Sequence, residues 1–380
     1  MPPVSVLVKP ASSACDMRCS YCFYRDVSGH REHAFEGMLS LTDMEKVIVA
    51  AMEYAEGYCS FAFQGGEPTL AGLDFFRKAV ELEKKHCKPG MAVYNSIQTN
   101  GLSLDEPWAG FLAEEHFLVG LSLDGPPELH DRNRKDNRDK GTCDRVVKAA
   151  RLLERFGVEF NILCVLTGQN ARAVQRIYNF YKKQGFQYLQ FIPCLEPLDR
   201  ERGGEGYHLS PEDYGEFLLR IFDLWLQDLR KGSYISIRHL DNWLSILLGE
   251  PPEACSSMGC CSVQFVVEGD GSVYPCDFYV LDEWRLGTVG ERPFAQMAQS
   301  EAARRFVEAS RHIPEECRAC PVYPVCRNGC RRDRLATTEG IIGGNYYCKS
   351  YKRFFTERKE ELREAIGLVL ELRRRAANGS

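Results

Sequence analysis

The sequence predicts an α/β fold: a partial, TIM-like (β/α)6 barrel, then a small cysteine-rich region and a C-terminal helix. Three observations carry this. Short apolar strands alternate with helical stretches up to about residue 200; cysteines crowd together after Cys255; and the chain closes on a long amphipathic pattern. Strand–helix alternation of this kind gives right-handed βαβ units on a parallel sheet. Six units do not close an eight-stranded barrel, so a curved partial barrel is expected.

The strands are "VSVLV" from Val4, "SFAFQ" from Ser60, "VYNSIQT" from Val93, "LVGLSLD" from Leu118, "FNILCVL" from Phe160 and "YLQFIP" from Tyr188. Between them, "TDMEKVIVAAMEYAEG" reads as a helix with Thr42 as N-cap and Gly57 as its stop. "LDFFRKAVELEKKH", "DEPWAGFLAEE", "CDRVVKAARLLERFG" and "ARAVQRIYNFYKKQG" repeat the helical period. A "GGEGYHLSPEDYGEF" passage near residue 203 reads as a linker, followed by a helix to about Lys231. The expected division is therefore a barrel over 1–205, a helical linker over 206–250, a cysteine-rich domain over 251–350, and an amphipathic C-terminal helix over 351–380.

Composition narrows the class of protein. Of 380 residues, 44% are hydrophobic and 27% charged, as in a soluble globular protein. The net charge of −5 offers no basic surface, so nucleic acid is not an expected partner. No apolar run approaches the ~18 residues of a membrane span. The start "MPPVSVLVKP" lacks the pattern of a signal peptide, which points to the cytoplasm. In that compartment, 17 cysteines indicate metal rather than disulfides.

Cys15, Cys19 and Cys22 form C-x3-C-x2-C on the loop after the first strand, at the end of the sheet where chemistry collects. Three thiolates satisfy three irons of a 4Fe–4S cubane and leave the fourth open. A zinc site completed by a distant His or Cys is the structural alternative. With aromatic Tyr21 before the third cysteine, C-x3-C-x-Φ-C resembles the signature of the radical S-adenosylmethionine enzymes. The resemblance implies that S-adenosylmethionine chelates the open iron and yields a 5′-deoxyadenosyl radical. "GGEPTL" from Gly65 resembles the family's motif for the cofactor's amino group. It implies cofactor-binding roles for Gly65 and Gly66 through their carbonyls and for Glu67 through its charge, with Ser122 and Arg134 as candidates for the ribose and carboxylate.

Downstream lie Cys261, a nine-residue gap, "GSVYPC" ending at Cys276, "CRACPVYPVCRNGC" carrying Cys317, Cys320, Cys326 and Cys330, and finally Cys348. This series resembles the SPASM extension of radical enzymes that modify peptides and proteins. With Cys255 as an eighth ligand, the resemblance implies two further 4Fe–4S clusters, three in all. Cys255, Cys261, Cys276 and Cys330 would hold one; Cys317, Cys320, Cys326 and Cys348 would hold the other. Adjacent Cys260 is the expected spare, and structural zinc is the alternative for this region.

"YPCDFY" around Asp277, together with "KPASSACDMRCSYCFY", "FAFQGGEPTLAG", "NSIQTNG" and "FLVGLSLDGP", resembles the anaerobic sulfatase-maturating enzymes from about Pro10 to Tyr351. The resemblance implies oxidation of a Cys or Ser in a sulfatase motif to Cα-formylglycine. Asp277 would be the catalytic base, and a low-potential donor of the flavodoxin or ferredoxin type would supply electrons to act on an unfolded sulfatase chain. Tyr24 and Gln64 are further candidates for the substrate pocket. The alternatives are a SPASM enzyme that forms thioether or carbon–carbon crosslinks, and a non-enzymatic iron–sulfur carrier. A carrier needs neither an open iron nor a GGEP motif.

Overall fold

Six runs become six strands, and their buried apolar side chains share one core with the helices that connect them. The computed structural model describes residues 3–336 and 342–378. β1 (Val4–Val8), β2 (Tyr58–Phe63), β3 (Ala92–Thr99), β4 (Leu118–Ser122), β5 (Phe160–Leu166) and β6 (Tyr188–Pro193) pair in parallel, each with the next. In β2, Cys59, Phe61 and Phe63 are buried while Ser60 and Ala62 are half-buried, the period-two signature of a strand with one covered face. The covering helices are amphipathic: Leu41–Tyr54 buries Met44, Val47, Ile48 and Ala51, and Cys143–Phe156 stops at Gly157, whose φ of +71° suits glycine.

Three helix boundaries differ from the sequence expectation. The first barrel helix is capped by Ser40, whose hydroxyl accepts from the Asp43 N–H at 3.0 Å, and it ends at Tyr54. Thr42 therefore lies inside it, and Gly57 lies past its end. The stretch "ARAVQRIYNFYKKQG" divides at Ala173 into Gly168–Arg172 and Val174–Gln184, because Thr167 caps a short helix by accepting from the Asn170 N–H at 3.2 Å. The terminal helix divides at Arg358, which turns its guanidinium to Asp223 at 2.8 Å, giving Cys348–Glu357 and Lys359–Asn378.

After β6, the helix Pro211–Arg230 buries Phe217, Leu218, Phe222 and Trp225, and its ring contacts reach Phe354. β7 (Ser236–Ile237) extends the sheet beside β6. At the opposite edge β8 (Val266–Val267) pairs in parallel with β1, followed by antiparallel β9 (Ser272–Tyr274) and β10 (Gly287–Thr288). The ten strands make one sheet, ordered β10-β9-β8-β1-β2-β3-β4-β5-β6-β7. Part of the cysteine-rich region is thus bonded directly to the barrel sheet, which two- and three-residue strands could not announce in sequence. β11 (Arg334–Ala336) and β12 (Ile342–Asn345) form a separate antiparallel pair. Among the described residues, no helix is long and apolar enough to cross a membrane.

Candidate active site

The loops that leave β1, β2, β3 and β4 meet at one end of the sheet. The loop after β1 carries Cys15, Cys19 and Cys22, and it is pinned to the loop after the Pro127–Asn133 helix. Arg18 N–H donates to Lys135 O at 2.7 Å and Ser20 N–H to Asn133 O at 3.0 Å. Burial is the main influence on the Cys15 and Cys19 thiols. It pushes Cys15 up to about 12 against the Met17 N–H, and Cys19 up to about 11 against Arg134, with Cys22 adding to the rise. Such thiols stay protonated until a metal displaces the proton.

At the β2 end, Gly65 and Gly66 have φ of +106° and +53°. A Cβ on Gly65 would stand 2.5 Å from Lys9 Cε, and one on Gly66 2.2 Å from Ala14 O. Only glycine fits here. Glu67 is buried and its carboxylate is fully engaged. Oε1 accepts from Thr69 N–H at 3.1 Å and from the Thr69 and Thr99 hydroxyls at 2.7 Å each; Oε2 accepts from Asn100 N–H at 2.7 Å. Burial raises its pKa and these donors oppose the rise. The carboxylate therefore fixes the turn rather than presenting a free charge.

Ser122 closes β4 as a buried residue, and Asp124 lies two residues beyond. Asp124 Oδ1 accepts from Val165 N–H at 2.9 Å, while Oδ2 accepts from Arg134 Nε at 3.0 Å and from the Tyr21 hydroxyl. The Arg134 guanidinium lies 5.4 Å from the Tyr21 ring centroid. Tyr21, Asp124 and Arg134 thus form one buried unit beside Cys19. The expected strand "LVGLSLD" ends on Asp124, but nothing in the sequence singles that residue out, because its partners come from distant segments.

Asp277 follows Cys276 at the start of a short 3-10 turn and is buried. Its Oδ2 accepts from the Tyr24 hydroxyl at 2.6 Å and from Gln64 Nε2 at 3.2 Å; Gln64 Nε2 also reaches the Tyr24 hydroxyl at 2.6 Å. Its Oδ1 is buried with no partner among the described residues. Burial raises the carboxyl above the usual range, with Lys9 and Tyr24 opposing. Lys9, a residue the sequence reading passed over, lies 5.0 Å from the Tyr24 ring centroid and pairs with buried Glu268 at 2.7 Å. Arg31 pairs with the same Glu268 oxygen at 2.7 Å.

The eight downstream cysteines fall into two neighbourhoods. After burial, Cys276 is raised by the charges of Cys330, Asp277 and Cys261, and Cys330 by Asp333, Cys255 and Cys261. Cys326 is raised first by burial and then by Cys348, Cys317 and Cys320, and these four line a single concavity. Cys260 is exposed beside Cys261. Arg334, which no sequence signal marked, ties the region together by donating to Gly259 O, Ser310 O, Asn328 O and Gly329 O at 2.6–3.1 Å.

A tetrahedral zinc site would hold its thiolates only ~3.8 Å apart at the usual zinc–sulfur length. Among the described residues, three or more ligand atoms within 4.8 Å of one another occur only at Asp26, His30 and Asp199, where His30 is ion-paired to both acids. Wider thiol sets suit a polynuclear iron–sulfur cluster.

Comparison with known proteins agrees with this geometry. The radical SAM superfamily profile matches residues 10–181, and an iron–sulfur cluster-binding domain profile, SPASM, matches residues 258–321. The chain is 47% identical over 355 residues to the cysteine-type anaerobic sulfatase-maturating enzyme of Clostridium perfringens, covering 93% of this chain and 96% of that one. It is 33% identical over 373 residues to the serine-type enzyme of Bacteroides thetaiotaomicron, covering 93% and 89%. The solved structure of native anSMEcpe with bound AdoMet and Cp18Cys peptide superposes with a TM-score of 0.92 at 46% identity, covering 97% of this chain and 100% of that one. The chain belongs to the radical SAM superfamily and, within it, to the anaerobic sulfatase-maturating enzymes.

Proposed function

We propose that this enzyme oxidises a cysteine of a sulfatase motif, presented on an unfolded chain, to Cα-formylglycine. The observation that carries the reading is the Gln64–Tyr24–Asp277 set, with one carboxylate oxygen held and the other buried and unpartnered. Preference for Cys over Ser rests on the higher identity to the cysteine-type relative, 47% against 33%.

Cys15, Cys19 and Cys22 would hold the cluster that binds S-adenosylmethionine; Tyr21, Gly65, Gly66, Ser122 and Arg134 would line the cofactor's pocket, with Glu67 acting through the turn. When bound, the pair supplies hydrogen-atom abstraction from an unactivated carbon. Asp277 Oδ1 takes the proton of the substrate thiol, while Tyr24 and Gln64 hold Oδ2 so that the free oxygen faces the site. A base must first reach the proton and only then have a suitable pKa. Raised by burial, the carboxyl is a stronger acceptor than an exposed one. In sum, the side chain loses two hydrogens, and water replaces sulfur, leaving an aldehyde and hydrogen sulfide.

Cys255, Cys261, Cys276 and Cys330, and then Cys317, Cys320, Cys326 and Cys348, would hold two further 4Fe–4S clusters that carry the second electron away. On this reading the chain divides into a radical barrel (1–205), a linker (206–250), a SPASM domain (251–350) and a terminal helix (351–380). A flavodoxin or ferredoxin starts each turnover.

The test is anaerobic. Reconstituted enzyme, S-adenosylmethionine, a reductant and a Cys-containing sulfatase-motif peptide should give the mass change of CH2–SH becoming CHO. Cofactor cleavage with no change in the peptide would reject the assignment, and a crosslinked product would favour the thioether-forming alternative.

A further inference from the structure

Lys9 is only 3% exposed, and a buried ammonium is costly unless its charge is answered. It follows the last residue of β1, and the sheet register decides what stands on either side. Val8 pairs with Val267 of β8 and with Phe63 of β2, so one residue further on Lys9 lies between Glu268 and Gln64. Backbone bonds hold this row: Lys9 N–H donates to Val267 O at 2.8 Å, and Gln64 N–H to Val8 O at 3.0 Å. β8 leads through β9 to Cys276 and Asp277, whereas β2 leads into the Gly65–Glu67 turn. Lys9 therefore stands where the cofactor turn and the base pocket meet.

Its side chain is divided between the two. The stem backs the turn, since a Cβ on Gly65 would stand 2.5 Å from Lys9 Cε and 2.7 Å from Cγ. The ammonium turns to Glu268 Oε1 at 2.7 Å and lies 5.0 Å from the centroid of the Tyr24 ring, whose hydroxyl holds Asp277. Glu268 does not need this partner. Its Oε1 already accepts from Arg31 Nη1 at 2.7 Å, and its Oε2 accepts from Gly269 N–H at 3.2 Å. The joint between β8 and β1 does not need it either, because the backbone makes that joint. Two buried cations on one carboxylate leave one positive charge over. That charge lies against the Tyr24 ring, and the carboxylate bonded to the ring's hydroxyl is Asp277.

We propose that Lys9 is a positioning residue of the reaction: its stem shapes the cofactor turn, while its ammonium, anchored on Glu268, fixes the Tyr24 ring that holds Asp277. The inference rests on the proposed reaction, in which Asp277 must meet the substrate thiol when the neighbouring β-hydrogen is taken. A cation held over a desolvated aromatic face restrains that ring, and small displacements of a reacting group are costly in rate. A loosened Tyr24 lets cofactor cleavage run without oxidation of the peptide. A loosened turn weakens cofactor binding itself, so the two contacts of Lys9 have separate readouts.

The test uses the full chain with its clusters reconstituted. Lys9→Met keeps the stem, removes the charge and leaves Glu268 paired to Arg31. By calorimetry it should bind S-adenosylmethionine as the parent does. Its KM for a sulfatase-motif peptide should stay within about twofold, while kcat for aldehyde falls roughly tenfold. The 5′-deoxyadenosine formed per aldehyde should rise by a similar factor, and Lys9→Arg, which keeps the charge, should restore most of that ratio. Lys9→Ala removes the stem as well, and should also bind the cofactor on the order of tenfold more weakly. Iron content and thermal midpoint, read on every variant, separate these effects from loss of fold. If Lys9→Met does not load its clusters, the nearly isosteric Lys9→Gln carries the same readings. An unchanged ratio of 5′-deoxyadenosine to aldehyde would overturn the proposal. So would a parallel fall of iron content, cofactor affinity and rate in both the Met and Gln variants, which would assign Lys9 to the fold alone. Parent-like cofactor affinity in Lys9→Ala would overturn the part given to the stem. If the parent leaves the peptide unchanged, the proposed reaction falls, while the cofactor affinities of Lys9→Ala and Lys9→Met still decide whether Lys9 shapes the turn.

Discussion

Asp277 offers its two carboxylate oxygens to different ends, one to Tyr24 and Gln64 and the other to no described residue. Replacing it with Asn keeps the shape and removes the proton acceptor. Asp277→Asn should still cleave S-adenosylmethionine yet lose at least about a hundredfold in formylglycine yield, as expected for removal of a general base. The check is the ratio of 5′-deoxyadenosine to aldehyde, and an unchanged ratio would remove Asp277 from the role. Gly66 makes a second demand at this scale. With φ of +53° and Ala14 O only 2.2 Å from a Cβ, Gly66→Ala strains the turn twice over. A cost of roughly 1–3 kcal/mol is expected, along with weaker S-adenosylmethionine binding by calorimetry. Cysteines and glycines of this kind were legible in the sequence because their spacing is itself the signal. Asp124, Lys9 and Arg334 were not, since each acts through partners that only the fold brings near.

The elements were readable where one rule governed them and blurred where two competed. All six barrel strands lie where apolar runs placed them, although β2 begins at Tyr58 and β3 at Ala92, just ahead of the runs. The cap moved from Thr42 to Ser40 because both are good capping residues and only backbone conformation chooses between them. The helix Leu73–His86 carries a less visible compromise. It buries Glu83, whose Oε2 accepts from Asn95 Nδ2 of β3 at 2.7 Å while Oε1 has no partner among the described residues. Burial raises its pKa from 4.5 to about 7. The folded state therefore binds more protons than the unfolded one between those values, so this contribution is full below about pH 4.5 and lost as pH rises through about 7. Glu83→Gln should remove that dependence. Relative to the parent, the variant should gain roughly 2–3 kcal/mol between pH 5 and pH 8, read from urea midpoints. A difference that does not change with pH would mean that Glu83 is not titrating in this range.

At the scale of the whole molecule, strand alternation and cysteine placement pointed to a metal-binding chain with a barrel and a separate cysteine-rich region. They did not show that β8 would join β1 and make the two parts share a sheet. On the proposed three-cluster reading, a fully loaded chain carries about twelve irons. Changing both Cys317 and Cys348 to Ala should lower the iron count to about eight and the thermal midpoint with it, because cluster binding is linked to folding. A count near four in the parent would leave the barrel site alone loaded. The β1–β8 pairing has one more consequence, which concerns timing. A frame stitched across by backbone hydrogen bonds has no hinge there with which to open around a finished globule. On the proposed reading, a target residue enters while its own chain is still slack, so the client's folding rate sets the time available.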